Sequence, residues 1–345
     1  MKLQKKGNMM VAIIDTGTTN TKFYIVDQEK LIAEQYVNIG CRDNIGEKAK
    51  QDYLKMLKDQ ITEMMKAKGY LFNSLSSIIA FGMISSDLGV VVVPHLIVPA
   101  GINELQEGVY EYSSSILEGV PLFIIRGIKN KLPNNTSIDN VFHCDFMRGE
   151  ETQCMGVISS NCVSLPVNII TLGTHFKAVH INEEGKITKS MTTMSGQLFE
   201  SIAYGTIVKK SVDVSKDASM SLTREEIMEL AWATYEKYGF NRSILLPRFM
   251  NSFTSMTAMD RRLFLDSILA IDDLKSIREW FIEKELMSKN YVLIGQRSRN
   301  ISYLLALRQI DPEIKVQTIN DYEENRDISI KGALKICKKK IGGEK

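Results

Sequence analysis

An α/β protein built from two domains of similar topology is what the sequence predicts, on three observations. The chain has 345 residues, more than one ordinary hydrophobic core organises. Short runs of β-branched and aromatic residues alternate with longer segments whose apolar positions recur every three or four residues. A stretch near the middle, NIITLGTHFKAVHINEEGKITK at 168–189, echoes AIIDTGTTNTKFYIVDQEKLIAE at 12–34. In both, an apolar strand ends at Gly-Thr, a short polar turn reaches a lysine, an aliphatic strand follows, and an acidic turn leads to another strand. Gly17, Thr18 and Lys22 match Gly173, Thr174 and Lys177, with the second turn one residue shorter. A repeat on this scale implies two like domains, each opening with a hairpin directed at a shared cleft.

In the first copy, residues 11–14 and 22–26 are rich in β-branched and aromatic side chains and suit strands. Between them Asp15, Gly17 and the hydroxyls of Thr16, Thr18, Thr19 and Thr21 crowd into one bend. Glycine permits close backbone approach, and turn N–H groups with hydroxyls can surround phosphate oxygens. An aspartate at the mouth of such a turn repels phosphate, which implies a divalent cation between them. A Mg-nucleotide site and a plain Thr/Gly turn both fit this stretch taken alone. The second copy has Thr171 where the first has Asp15, which makes Asp15 the metal-side residue.

Bulk properties exclude several classes. Lys plus Arg is 43 against 41 for Asp plus Glu, a net charge of +2, so nothing global favours nucleic acid or an anionic membrane, and small-molecule chemistry is expected. Lys2, Lys5 and Lys6 precede an apolar run that stops at Asp15 without a small-residue cleavage site, unlike a signal peptide. The longest apolar stretch, 89–100, is broken by Pro94, His95 and Pro99 and cannot span a bilayer. A cytoplasmic location is expected. Cys41, Cys144, Cys154, Cys162 and Cys337 are odd in number and widely spaced, as reduced thiols are. There is no CxxC or HExxH, no P-loop pattern, no GxGxxG after a strand and no GxSxG, which argues against zinc, P-loop, dinucleotide and serine-hydrolase sites.

The remaining elements follow in order. A third strand is expected over 31–38, then a helix over 47–68 with Tyr53, Leu54, Leu57, Ile61, Met64 and Met65 facing the core. A buried strand over 77–84 ends in GMISS at 82–86, either a ligand-lining strand end or a turn with exposed serines. Extended chain over 90–98, a short segment at 113–117 and a strand over 121–126 lead to a polar loop at 129–140 containing the sequon Asn134-Asn135-Thr136. In DFMRGEETQ, 145–153, Gly149 marks entry to a helix running to about 160 with Glu150 and Glu151 in its first turn. Acidic residues there complement the helix dipole, and an Arg with two Glu beside a glycine also resembles an active-site edge. Ser195 is expected to cap a helix carrying Leu198, Phe199 and Ile202, and Thr223 with Glu226 forms a capping box for a helix over 223–238. Residues 247–284 read as mostly helical, with Arg261 and Arg262 on a polar face, Leu263, Phe264, Ile268 and Leu269 buried, and Trp280 and Phe281 in the core. A strand over 291–294, the segment GQRSRN, a helix over 301–308, a strand over 315–319 and a closing helix over 329–340 complete the chain. His175 is placed to touch phosphate, whereas His95, His143 and His180 read as ordinary strand or loop residues. The domains divide as 1–145 and 146–345, the final helix being a candidate to pack back on the first.

Six segments, DTGTTNTK, GMISS, FIIRGIK, DFMRGEETQ, LGTHFK and MSGQLFESI, run in this order from Asp15 to Ile202. They resemble the landmarks of the 2-dehydro-3-deoxygalactonokinase family, within the sugar kinase, heat-shock protein 70 and actin superfamily; MRGEETQ is the most specific. The resemblance implies an actin-like ATPase fold, with two ribonuclease-H-like domains and an ATP cleft between them. It implies transfer of the γ-phosphoryl group of ATP to a hydroxyl of a 2-keto-3-deoxy sugar acid, in the family O6 of 2-dehydro-3-deoxy-galactonate. ATP and Mg²⁺ would be the cofactors, with the metal on Asp15. Gly17, Thr18, Thr19 and Asn20 would contact phosphate from the first domain, Gly173, Thr174 and His175 from the second, and Gly295 would pass close to adenosine. Related sugar kinases place a carboxylate at a helix start about twenty residues before the second hairpin, which points to Glu150 as general base, with Glu151 and Asp145 as alternatives. Arg148 would pair with the substrate carboxylate, which a guanidinium matches in bidentate fashion, and Ser85 and Ser86 would bind sugar hydroxyls. The expected partner is a small sugar acid, with no nucleic acid and no membrane, and a homodimer is the candidate assembly. The sequence departs from the family where Trp is usual and Thr16 stands, where SSDLGV (85–90) follows GMI in place of Gly-Ser and a Gln-Gly-Trp segment, and where Leu172 replaces proline. These positions fall near the expected sugar pocket. A kinase for a different sugar, or a nucleotide-binding sensor or assembly protein of the same fold, are the alternatives; Asp15 and MRGEETQ argue for an enzyme, because a binding module needs no base.

Overall fold

In the computed structural model, which describes residues 10–42, 44–132, 138–215 and 219–342, the opening hairpin grows into a meander. The strands β1 (Met10–Thr16) and β2 (Thr21–Asp27) are buried along almost their whole length, and β3 (Lys30–Val37) alternates toward solvent. Burial on both faces explains why the first two read as continuous apolar runs. Helix α1 (Glu47–Ala67) buries all six positions that its periodicity marks, Tyr53 to Met65. The fully buried β4 (Ser77–Gly82) joins β1 in parallel and passes into a single 3₁₀ turn, Met83–Ser85. Of the stretch expected to be extended, only β5 (Leu96–Ile97) is a strand. Helix α2 (Ile102–Glu107) has no counterpart among the elements expected from sequence, being too short to display a period. Then come β6 (Tyr110–Tyr112), β7 (Leu122–Ile124), β8 (Ile128–Lys129), β9 (Phe146–Met147) and α3 (Glu150–Ser159). The main sheet has the order β3-β2-β1-β4-β7-β6, and β5-β8-β9 forms a small second sheet. The sequon at 134–136 and the basic N-terminal residues lie outside the described residues.

The second half repeats the plan. Strands β10 (Val167–Leu172), β11 (Phe176–Ile181) and β12 (Ile187–Thr193) are followed by helices α4 (Ser195–Gly205), α5 (Arg224–Ser243), α6 (Leu246–Phe253) and α7 (Ala258–Ser276). After these lie β13 (Asn290–Gly295), α8 (Arg297–Ile310), β14 (Lys315–Ile319) and α9 (Tyr322–Ile341). The sheet order is β12-β11-β10-β13-β14. Thr223 and Glu226 form the expected capping box on α5. Ser195 is not the cap of α4: Met194 occupies that position, and Ser195 is the buried first residue of the helix. Arg261 does not lie on a polar face either, because its guanidinium turns inward to donate to the Ser211 and Met256 carbonyls. Helices α8 and α9 begin at Arg297 and Tyr322 rather than at 301 and 329, since their first turns are polar and lack an apolar stripe.

The internal repeat holds residue by residue. Strand β1 pairs with β2 antiparallel and with β4 parallel, and β10 pairs with β11 and β13 in the same two ways. Asp15 stands opposite Lys22, and Thr171 opposite Lys177. At the ends of the parallel ladders Thr16 faces Gly82, and Leu172 faces Gly295. Both glycines are demanded by space: a Cβ on Gly82, whose φ is +84°, would drive into the Thr16 carbonyl oxygen, and one on Gly295 would lie 2.7 Å from Leu172 Cβ.

The chain forms two compact units. One comprises the residues up to 163 together with 185–188 and those from 326 onward; the other comprises 164–184 and 189–325. The first is cored by β1, β2, β4 and α1 through residues such as Ile14, Phe23, Leu57 and Ile78, the second by β10, α7 and β13 through residues such as Ile170, Phe264 and Leu293. Within the first unit α9 crosses α3 at two glycines, where added Cβ atoms would strike the Ile328 carbonyl at Gly156 and the Thr152 carbonyl at Gly332. Arg326 pairs with Glu34 at 3.1 Å, and Gln106 donates to the Lys335 carbonyl at 3.0 Å. Gly332→Val should force these helices apart and lower the unfolding free energy by about 1–3 kcal/mol. Urea denaturation checks this, and an unchanged midpoint would contradict so close a crossing. None of the five cysteines forms a disulfide. Among the described residues, no helix is long and apolar enough to cross a membrane.

Candidate active site

The first hairpin divides its threonines into two pairs. The buried Thr16 hydroxyl donates to the Phe81 carbonyl at 2.8 Å and accepts from the Ile84 N–H at 2.7 Å, tying β1 to the GMISS turn. The buried Thr21 hydroxyl donates to the Ile39 carbonyl at 2.7 Å and lies 2.9 Å from Tyr53 Oη. Thr18 and Thr19 are exposed at the tip. The Gly17 N–H donates to Asn20 O at 2.8 Å, while the Cys41 and Arg42 N–H groups hold the Gly17 and Thr18 carbonyls at 3.1 and 2.9 Å. Across a planar trans peptide the N–H points opposite to the carbonyl, so the Thr18 and Thr19 N–H groups turn away from the 40–42 segment. Asp15, 22% exposed, is paired with Lys22 at 3.4 Å. Among the described residues, no group of three or more His, Cys, Asp or Glu could hold a metal by itself. Mg²⁺ keeps several waters and takes one or two carboxylates plus substrate phosphates, so a single half-buried Asp15 suits a metal that arrives with a nucleotide.

The MRGEE segment meets the GMISS turn through glycine. Gly149, at φ +115°, caps α3, and a Cβ on it would lie 3.7 Å from Gly82 Cα. Arg148 donates to Ser85 Oγ at 2.6 Å and to the Val93 carbonyl at 3.2 and 3.3 Å, and its other terminal nitrogen is 3.5 Å from His95 Nδ1. Gly127 makes room for this, since a Cβ there would come within 2.8 Å of Arg148 Cγ and of the His95 ring. Burial draws the Arg148 pKa below its usual value, opposed by the charges of Glu151 and Asp87. The two serines face inward: Ser85 also donates to the Gly82 carbonyl at 3.2 Å, and Ser86 donates to the Met83 carbonyl at 2.7 Å. His95, read from sequence as an ordinary residue, thus sits beside Arg148; a histidine in an apolar run gives no sign of such a neighbour.

The three candidate carboxylates differ sharply. Glu151 is fully buried, and both its oxygens accept from the Gly149 N–H, at 2.9 and 2.8 Å. Burial first, and the neighbouring Glu150 charge second, push its carboxyl up to about 8. Glu150, the first residue of α3, is half-buried, and Asp145 lies ahead of β9, its carbonyl accepting from the Asn130 N–H at 2.9 Å. A carboxyl that holds its proton more tightly in the fold than in the open chain gives stability that is complete below pH 4.5 and lost as the pH rises through about 8. Glu151→Gln should therefore raise the urea midpoint at pH 9 and give no such gain at pH 5. Equal shifts at both pH values would dismiss the buried proton.

In the second hairpin Gly173, Thr174 and His175 are all exposed. Thr174 Oγ1 lies 3.2 Å from His175 Nδ1, and the Gly173 N–H donates to the His175 carbonyl at 3.1 Å. His180 is an ordinary strand residue, as its sequence suggests, and a buried one, 2.7 Å from Asn168 Oδ1 and with its pKa pushed down to about 4 by burial. Gly295 closes β13, and its carbonyl accepts from the Asn300 amide at 3.1 Å, which also reaches the Ile319 carbonyl and so links the ends of β13 and β14. Beneath the hairpin lie Asp266, Asp273, Arg299 and Tyr303, all buried. Burial pushes both aspartates up to about 6, against the pull of Arg299 on Asp266 and of hydroxyl hydrogen bonds on Asp273.

Comparison with known proteins decides the family. The model of the 2-keto-3-deoxy-galactonokinase family matches residues 15–326. The chain belongs to that family. No curated protein matches it in sequence. Among solved structures it is similar to a 2-dehydro-3-deoxygalactonokinase candidate from Sinorhizobium meliloti, 18% identical with a TM-score of 0.70, over 94% of this chain and 98% of the other. A reductive activator for a corrinoid, iron-sulfur protein is 12% identical with a TM-score of 0.50, over 98% and 62%. At these identities the structural likeness establishes the fold, an actin-like ATPase fold. As a 2-keto-3-deoxy-galactonokinase family member, the protein is a sugar-acid kinase that uses ATP, and the sensor reading is not favoured.

Proposed function

We propose that this kinase transfers the γ-phosphoryl group of Mg-ATP to O6 of 2-dehydro-3-deoxy-galactonate, or to the matching hydroxyl of a close 2-keto-3-deoxy sugar acid, with Glu150 as general base. The observation that carries this reading is the junction of Arg148, Gly149 and Glu150 with the GMISS turn, which sets a cation and a carboxylate two residues apart. Glu150 takes the proton of the attacking hydroxyl as its oxygen bonds to the γ-phosphorus and the bond to the bridging oxygen of ADP breaks. Glu151 is unsuited to that role because it is buried with both oxygens on the Gly149 N–H, and Asp145 lies off α3. Arg148 has five N–H donors, more than Ser85 and the Val93 carbonyl take up, and presents the remainder to the substrate carboxylate. The inward Ser85 and Ser86 hydroxyls act by bracing this segment.

Asp15 would hold Mg²⁺, directly or through water, and the ion would neutralise phosphate charge. Gly17, Thr18, Thr19 and Asn20 would contact phosphate in the first unit; Gly173, Thr174 and His175 would do so in the second, and Gly295 would lie against adenosine. Dependence on ATP fits a cytoplasmic enzyme.

ADP release measured over a panel of 2-keto-3-deoxy sugar acids, with free hexoses as controls, tests the reading. Turnover with the acids alone supports it, turnover with hexoses alone assigns another sugar, and silence throughout dismisses it. Arg148→Ala should raise KM for the sugar acid by roughly 10–100-fold, the worth of a charge-assisted hydrogen-bond pair. An unchanged KM would remove the carboxylate role.

A further inference from the structure

The hairpin at Gly173 is held differently from its counterpart at Gly17. In the first hairpin, backbone N–H groups of the 40–42 segment hold the two tip carbonyls inward. In the second, the Thr174 carbonyl accepts from the Gln197 N–H at 2.8 Å, but the Gly173 carbonyl accepts from a side chain, Arg299, at 3.0 Å. That arginine is 7% exposed, in the first turn of α8, and its guanidinium also lies 3.3 Å from Tyr303 Oη and 3.4 Å from Ser195 Oγ. Its Nε is 3.9 Å from the buried Asp266, and Tyr303 in turn donates to Asp273. Burying a guanidinium with two carboxylates is expensive unless geometry is gained, and its backbone acceptor here is the tip of the hairpin.

We infer that Arg299 is a positioning residue for ATP, which orients the anion-binding N–H groups of the second hairpin by holding the Gly173 carbonyl inward. The planar trans peptide supplies the mechanism: with the Gly173 and Thr174 carbonyls drawn inward, the N–H groups of Thr174 and His175 point outward, as a phosphate requires. Tyr303 and Asp266 fix the plane of the guanidinium, and Gly196 lets α4 start directly against the turn, since a Cβ there would lie 2.6 Å from the Thr174 carbonyl carbon. The inference rests on the reading that this hairpin binds ATP phosphate, so that premise needs its own control.

Gly173 supplies the control, because its Cβ position is open, with nothing within 4 Å. Gly173→Val would fill the space above the tip without disturbing the fold. Steady-state kinetics on Gly173→Val, Arg299→Met, Arg299→Lys and Tyr303→Phe, with ATP and sugar acid varied separately, decide the matter. Arg299→Met should raise KM for ATP about tenfold or more with little change in KM for the sugar acid, and Arg299→Lys, which keeps one donor, should recover part of the loss. Tyr303→Phe, a smaller change that keeps the ring, should shift KM for ATP in the same direction and serves if Arg299→Met does not fold. If Gly173→Val raises KM for ATP and the Arg299 and Tyr303 variants do not, the positioning role is wrong. If Gly173→Val leaves KM for ATP unchanged, the phosphate reading falls and the inference with it. Equal losses for both substrates in the Arg299 and Tyr303 variants would reduce the network to a stabilising one and also overturn the inference.

Discussion

Glu150→Gln should lower kcat by roughly 10²–10⁴-fold, the range in which a positioned general base contributes, while KM for ATP stays nearly unchanged. The expectation follows from where the charge sits. Glu150 begins α3 directly after Gly149, which packs against Gly82, so the amide variant keeps shape and loses only the proton acceptor. Glu151→Gln is the internal comparison: its carboxyl is buried and pushed up to about 8, so near pH 7 the neutral amide resembles the protonated acid it replaces. Turnover measured for both variants separates the adjacent carboxylates. Near-normal kcat in Glu150→Gln would remove it as the base.

Asp15→Ala should cost roughly 10²–10³-fold in turnover at fixed Mg²⁺, comparable to removing one electrostatic stabiliser of a transferring phosphoryl group. The obvious objection is the ion pair with Lys22, since its loss could disturb the hairpin. That pair is partly exposed, at 3.4 Å, and such pairs contribute little to stability. Lys22→Met, which breaks the same pair and leaves the carboxylate, should therefore keep most of the Mg²⁺-dependent activity. Similar losses in the two variants would move the role from the metal to the ion pair.

The features read correctly from sequence were local ones. A strand, a turn and a strand lie within two dozen residues, so the hairpins and their echo were visible in the one-dimensional pattern, and α1 carried its own apolar stripe and α5 its capping box. What stayed hidden depends on residues far apart in the chain. Thr16 and Thr21 could not be told from Thr18 and Thr19 until Phe81, Ile39 and Tyr53 were known to lie beside them. The GMISS serines read equally as ligand-lining or exposed hydroxyls, because nothing local reveals that they face inward onto the Gly82 and Met83 carbonyls. Arg299, Asp266 and Tyr303 were invisible for a related reason: the aspartate sits inside the apolar run of α7, and its arginine partner is 33 positions later, at 3.9 Å. The equivalence of Gly82 and Gly295 appears only once the strand registers are compared.

The return of α9 to the first unit has a consequence for biosynthesis. Residues 164–184 and 189–325 form a body of their own within the sequence of the other, so during translation that body is fully exposed before the last part of the first has been made. Helix α3 carries Glu150 at its start and has its glycine-lined back open until 326–342 leave the ribosome and cover Gly156. Chains of this size fold region by region as they emerge. The nascent enzyme should therefore acquire a folded second unit first, and the helix that begins at Glu150 should be buttressed only after residues 326–342 have been made.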